Sequence, residues 1–264
     1  MHMESIHPLM GRTLVLVAHP DDEVIGCGAL LGRMRSPVVV LATDGAPQDP
    51  YFWQGHGSRN AYADARREEA ERVAEFGMHA VKFLSDHRLN VFVDQELFCH
   101  LTSALEELRQ IIEKMQPDAL LTLAYEGGHP DHDCCNFLTS VLAGEFHLPA
   151  WEMPLYHRAP DGESKQQQFL FESGRELILR LNAGESARKA AMLGIYSSQQ
   201  GVLANFSIAS ERFRPLAVYD YCQPPHPGIL NYEAWGWPMT GREVAAAFCR
   251  QLERIQNKKR MRVS

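Results

Sequence analysis

The chain has 264 residues, 45% of them hydrophobic and 22% charged, enough for one large domain with its own core and no need of staples. A formal net charge of -7 excludes the basic footprint of a nucleic-acid binder. No apolar run approaches the ~20 residues of a membrane span, and residues 1–12 lack the apolar stretch of a signal peptide, so the expectation is a cytoplasmic protein.

In chain order, "TLVLVA" (13–18) is a short, continuous apolar run, the pattern of a strand buried on both faces. "VIGCGALLGRM" (24–34) predicts a helix and "VVVLATDG" (38–45) a second buried strand. A Pro- and aromatic-rich loop (46–59) leads to the helix "NAYADARREEAERVAEFG" (60–77), with Ala63, Ala70, Val73 and Ala74 on one face. "AVKFL" (80–84) is a third strand, 94–115 a long amphipathic helix stopped by Pro117, "DALLTLAY" (118–125) a fourth strand and 134–146 a helix.

Beyond 150 the pattern loosens. Short strands are expected in 152–159, 167–173 and 176–181, helices over 185–198 and 241–256, and a proline–aromatic loop over 222–238. Six cysteines, Cys27, Cys99, Cys134, Cys135, Cys222 and Cys249, form no CxxC pair and read as buried reduced thiols.

Alternation of strand and helix from 13 to about 146 predicts an α/β fold, a Rossmann-like three-layer sandwich with a mostly parallel central sheet. The expected organisation is a single domain over 1–264, with a core of about 13–200 and a pocket-shaping extension over 200–264. Right-handed crossovers place every strand's C-terminal end on one edge, where ligands of such sheets bind.

Two polar bursts fall on that edge. His19, Asp21, Asp22 and Glu23 follow the first strand; His129, Asp131 and His132 follow the fourth. A catalytic zinc takes three His or carboxylate ligands and leaves a position open. HxxD in a tight turn presents two side chains to one point, and the second burst offers two histidines, either of which the spacing allows as third ligand. Pro20 and Pro130 stiffen both turns. Gly26, Gly28 and Gly32 imitate a dinucleotide fingerprint, but they follow a charged insert, and Asp21 and Asp22 would repel a pyrophosphate. The glycines fit close helix–sheet packing better, and Glu23 fits a structural acid near a helix start.

"AHPDDE" (18–23) together with "GHPDHD" (128–133) resembles the LmbE-like, or PIG-L, family of zinc-dependent N-acetylglucosaminide de-N-acetylases. "ATDGA", "RREEAERVAEFG", "FLSD" and "KAAMLGIYSSQ" (189–199) sit in the family's order, extending the resemblance over roughly 13–200. It implies His19, Asp22 and His132 as ligands of Zn2+ or another divalent transition metal. It implies Asp21 as general base, His129 in protonated form as oxyanion donor, and Asp131 as the group that orients a histidine. The implied activity is hydrolysis of the N-acetyl group of an N-acetylglucosamine-type sugar or glycoconjugate.

Two alternatives stay open: a metal-dependent amidase on another amide, such as a thiol conjugate, and a metal-binding homologue without turnover. Arg66, Asp86 and Tyr125 are candidate substrate contacts, and Trp235, Trp237, Tyr219 and Tyr221 suit sugar stacking. His226 reads as a loop residue within possible reach of the site. Many relatives carry an acid after the "DG"; here Ala46 and Pro47 follow Gly45, which leaves the sugar open. Partners are a small N-acetylated substrate and no nucleic acid, with a homo-oligomer left open.

Overall fold

The computed structural model describes residues 6–84 and 92–263. Strands β1 (Thr13–Val17), β2 (Val38–Leu41), β3 (Ala80–Phe83), β4 (Ala119–Leu123) and β5 (Ala150–Met153) are parallel. A two-stranded ribbon, β6 (Tyr156–Arg158) and β7 (Ser164–Gln166), stands apart, and β8 (Leu177–Arg180) and β9 (Ser210–Pro215) add an antiparallel edge. The seven-stranded order is β3-β2-β1-β4-β5-β9-β8. β1 and β4 are buried at every position, as their unbroken apolar runs require.

Helices α1 (Asp22–Leu31), α2 (Arg59–Gly77), α3 (Leu101–Met115), α4 (Pro130–Phe146) and α5 (Ala183–Ile195) follow in chain order, with short α6 (Gln200–Leu203) and α7 (Asn231–Ala234) and the long α8 (Gly241–Val263). α1, α2 and α5 pack together, and α3, α4 and α8 pack together, so the sheet lies between two helical layers. At Gly26 a Cβ would lie 2.6 Å from Met153 Sδ on β5, so the glycine does serve close packing of α1 on the sheet. No helix among the described residues is long and apolar enough to cross a membrane.

The chain runs β1-β2-β3 outward in one direction and β4-β5 in the other. The order therefore reverses between neighbouring β1 and β4. Side chains just beyond these two strands flank the crevice that such a reversal opens.

Several boundaries differ from the sequence expectations. The helix expected from 94 starts at Leu101, after a short 3-10 turn at Leu97–Cys99, because the Asp131 carboxylate takes the N–H groups of Gln95 and Leu97. α4 starts at Pro130, not 134, with His129 as its N-cap. The strand expected over 167–173 is absent; Gln167 has φ 51°, which ends the extended backbone after β7. The polar β9 carried no hydrophobic signal. It is accepted because Lys189 meets Glu211 at 2.8 Å and Arg214 meets Glu152 on β5 at 2.6 Å. Cys222 and Cys249 form a disulfide, their Cα atoms brought to 4.8 Å where α8 packs back beside the loop, and Cys99 is exposed; the buried-thiol expectation holds for Cys27, Cys134 and Cys135.

Candidate active site

The first turn leaves β1 at Ala18 and enters α1 at Asp22. Asp22 Oδ2 accepts the N–H groups of Ala18 (3.2 Å) and His19 (2.8 Å), which folds the turn back on itself. Asp21 caps α1 with φ 123°, a value that costs a non-glycine residue on the order of 1–3 kcal/mol. The surroundings hold it there. Its carbonyl accepts Val24 and Ile25 N–H at 3.0 Å, its N–H donates to Glu23 Oε2 at 3.1 Å, and Arg66 Nη2 donates to both the Pro20 carbonyl and Asp21 Oδ2 (the latter at 3.2 Å). Glu23 Oε1 accepts the Tyr196 hydroxyl at 2.5 Å, the structural role its position suggested.

In the second turn His129 Nδ1 accepts the Asp131 N–H at 3.1 Å and opens α4. Gly128 lets β6 approach: a Cβ there would lie 1.8 Å from the Tyr156 carbonyl oxygen. Tyr156 then meets the His132 ring edge-on at 5.2 Å.

The two turns converge. His19 Nδ1 lies 3.3 Å from Asp22 Oδ2 and 3.3 Å from His132 Nε2, which lies 3.3 Å from Asp22 Oδ1. Ligands about 2.0–2.1 Å from a tetrahedral zinc stand about 3.3 Å apart, so this His2Asp donor set fits such an ion. The far nitrogen of His19, Nε2, faces Asp94 Oδ1 at 3.1 Å and Asp131 Oδ2 at 3.4 Å, the carboxylate backing that metal-binding imidazoles usually have. His129 also stands within 4.8 Å of His19 and His132 by its ligand atom, and a further grouping, His19, Asp94, His129 and Asp131, meets the same limit. It is the poorer fit, because both Asp131 oxygens already accept backbone N–H groups at 2.7 and 3.1 Å.

The electrostatics separate the groups. Burial would raise the Asp22 carboxyl, but His132 and His19 hold it far below the usual range. Burial likewise opposes charge on His19, yet Asp94 and Asp22 outweigh it and keep the imidazole well above its ordinary value. Asp21 is pushed up to about 7 by burial, with Arg66 pulling it back. Burial and then His19 depress His129. A neutral His129 whose Nδ1 accepts an N–H carries its proton on Nε2, where Asp94 Oδ1 lies at 3.2 Å. In that arrangement the ring presents an Nε2–H, so it can donate without a second proton.

A pocket of about 310 Å³ opens above this cluster, with Asp21, Arg66, His129 and Tyr156 in its wall. Trp235 and Trp237 line it, as stacking would require, whereas Tyr219 and Tyr221 pack with Tyr125. Tyr125 does not reach the pocket: its hydroxyl donates to the Gln223 carbonyl at 2.7 Å within that aromatic group. Arg66 reaches it, but with its Nη2 taken up by Asp21 and Pro20. His226 is buried and its Nδ1 accepts the Gly228 N–H outside the pocket wall. Asp86 lies outside the described residues. Asp94, Gln95 and Tyr156 were not singled out from the sequence; Asp94 and Gln95 fall where a helix was expected, in a segment whose Gln95 and Leu97 N–H groups are held by Asp131 through bonds spanning 36 and 34 positions.

Residues 14–143 match the family model described as PIG-L, GlcNAc-PI de-N-acetylase. Over that region the chain is similar to the PIG-L family. The match ends within the last turn of α4, so the region includes both turns and every residue of the His2Asp set. A curated relative, the 1D-myo-inositol 2-acetamido-2-deoxy-alpha-D-glucopyranoside deacetylase of Corynebacterium diphtheriae, is 25% identical over 169 residues, 53% of this chain. The match spans 55% of that relative's length. A deacetylase of the teicoplanin biosynthetic pathway has a similar structure, with TM-score 0.61 at 19% identity over 79% of this chain and 99% of that one. So does the 4-carboxy-2-hydroxymuconate hydratase of Pseudomonas putida, with TM-score 0.54 at 16% identity over 79% of this chain and 97% of that one. At such identities the structures establish the fold, and that fold carries more than one chemistry, so function rests on the site.

Proposed function

We propose that this chain is a metal-dependent hydrolase that removes the acetyl group from an N-acetylglucosamine-type sugar or glycoconjugate. The observation that carries the reading is the 3.3 Å triangle of His19, Asp22 and His132 beside a buried carboxylate, Asp21, that is no part of it. A binding site alone has no use for a free base held at a strained φ of 123°. The acetamide substrate is taken from the relative's activity on a 2-acetamido sugar and from the family description.

His19, Asp22 and His132 hold the metal, with zinc favoured by the donor set. Bound there, the ion supplies Lewis acidity and water of lowered pKa. Asp21 takes the proton of the attacking water and returns it to the leaving amine. Its pKa near 7 suits both transfers, since a base poised near the working pH can release what it takes. Arg66 fixes Asp21 Oδ2 and keeps enough of the carboxyl ionised to act. His129 Nε2–H donates to the oxyanion, its ring locked by the Asp131 N–H on Nδ1. Asp131 acts through His19 and through the 94–97 segment, so it is a positioning residue.

The test is amine release from N-acetylglucosamine glycosides with and without a chelator. Chelator-sensitive release supports the reading. Release unaffected by complete metal removal defeats the metal mechanism, and a metal-loaded protein inert on a broad acetamide panel defeats the hydrolase.

A further inference from the structure

The reaction pocket does not end at the sugar-sized space above His19. A second chamber of about 590 Å³ lies between the segment around Tyr51 and the Trp235–Met239 stretch. Phe52, Asp94, Gln95, Trp235 and Trp237 line both spaces, so the two adjoin. Phe52 and Trp237 meet edge-on at 6.2 Å, and Trp235 and Trp237 lie 5.0 Å apart, which makes the shared wall aromatic. Tyr51 and Trp235 keep 74% and 51% of their surface in solvent at this place, large apolar faces left open beside the chamber. The described lining holds no lysine or arginine, while Asp49, Asp94 and Glu96 supply negative charge. An anionic group would be repelled there; a flat, uncharged one would find ring faces.

Gln95 stands at the junction. Its backbone φ is 73°, a region where a glutamine is rare and a glycine would be at ease. It is 8% exposed, and its side-chain Nε2 is buried without a hydrogen-bond partner. A buried donor left unpaired is costly, and one held in strained backbone between two cavities is placed to serve a ligand.

We propose that the substrate is an N-acyl sugar carrying an uncharged aromatic aglycone, with the sugar above His19, the aglycone in the second chamber, and Gln95 Nε2 donating to an oxygen of the sugar at the junction. This rests on the hydrolase reading for the sugar end.

Calorimetric titration of the zinc-loaded protein tests it with phenyl glucosaminide, methyl glucosaminide and glucosamine 1-phosphate, deacetylated forms that do not turn over. The phenyl compound binds at least about tenfold more tightly than the methyl one, and the phosphate binds more weakly than either. Tyr51→Ala, at an exposed position, erodes the phenyl preference and leaves methyl binding alone. Gln95→Gly weakens both glycosides about tenfold while Tm stays level or rises, because the strained φ is relieved. Equal phenyl and methyl affinities, a phosphate preference, or Gln95→Gly binding like the parent would each overturn the assignment. Parallel amine-release assays separate the two readings. A phenyl preference in a protein that hydrolyses no acetamide defeats the hydrolase alone; turnover with equal KM for phenyl and methyl N-acetylglucosaminides defeats the aglycone alone.

Discussion

The tripeptide His-Pro-Asp occurs at the end of β1 and again at the end of β4, and the two copies have different geometries. In the first, Asp21 is the helix cap and α1 begins after it; in the second, His129 is the cap and α4 begins at Pro130. That shift of two residues decides what each aspartate can do. Asp131 lies inside the first helical turn with both oxygens bound to backbone N–H groups. Asp21 lies outside the helix, bound by its side chain only to Arg66 among the described hydrogen bonds, and burial lifts it to about 7. Identical local sequence thus yields a titrating carboxyl in one turn and a fixed clamp in the other. The next position is equivalent in both: Asp22 and His132 face each other at 3.3 Å across the sheet's reversal point.

The sharpest way to break this contrast is to neutralise each aspartate in turn. Asp21→Asn should lose roughly 10²–10⁴-fold in kcat while metal content, read by elemental analysis, stays at the parent level. Asp131→Asn should act in the opposite sense. An amide cannot accept both N–H groups, so segment 94–97 loosens, and metal affinity falls about 10–100-fold in a chelator competition. If the two variants behave alike, the distinction between the turns is wrong.

Arg66→Met sharpens the first turn. Arg66 opposes the burial that raises Asp21, so its loss sends that pKa higher still. The acidic limb of kcat/KM moves to higher pH by about one unit, giving roughly tenfold less activity at pH 6 and partial recovery at pH 9. A limb that stays in place would separate Arg66 from the base.

The smallest effect concerns Glu23, which burial lifts to about 7 from an ordinary 4.5. A carboxyl raised in the fold contributes stability below its unfolded pKa and loses it as pH rises through the folded value. Thermal unfolding of metal-free protein should therefore show Glu23→Gln losing less stability than the parent between pH 5 and pH 8, by on the order of 1 kcal/mol, the remaining slope belonging to Asp21 and other buried carboxyls. Equal slopes would mean that Glu23 is already ionised against Tyr196.

Much of the fold was legible because β1, β2 and β4 are written in unbroken apolar runs, and a strand buried on both faces leaves that trace whatever surrounds it. The antiparallel edge was not, since β9 is admitted by Arg214–Glu152 and Glu211–Lys189 pairs whose partners lie elsewhere in the chain. The site divides in the same way. His19, Asp22 and His132 announce themselves through two short motifs. Asp94 and Gln95 are invisible to any local pattern, because remote carboxylates decide where their backbone goes: Asp44 takes the Asp94 N–H and Asp131 that of Gln95.

The sequence by itself determined the strand-and-helix alternation and the chemistry gathered at two strand ends, since apolar periodicity and residue type are local properties. Tertiary structure alone decided which aspartate is free to titrate, which nitrogen of His129 carries the proton, that Tyr125 turns away while Tyr156 turns in, and that Cys222 meets Cys249. Each of these depends on the field and hydrogen-bond partners that remote segments bring to a buried group, and burial makes such partners decisive.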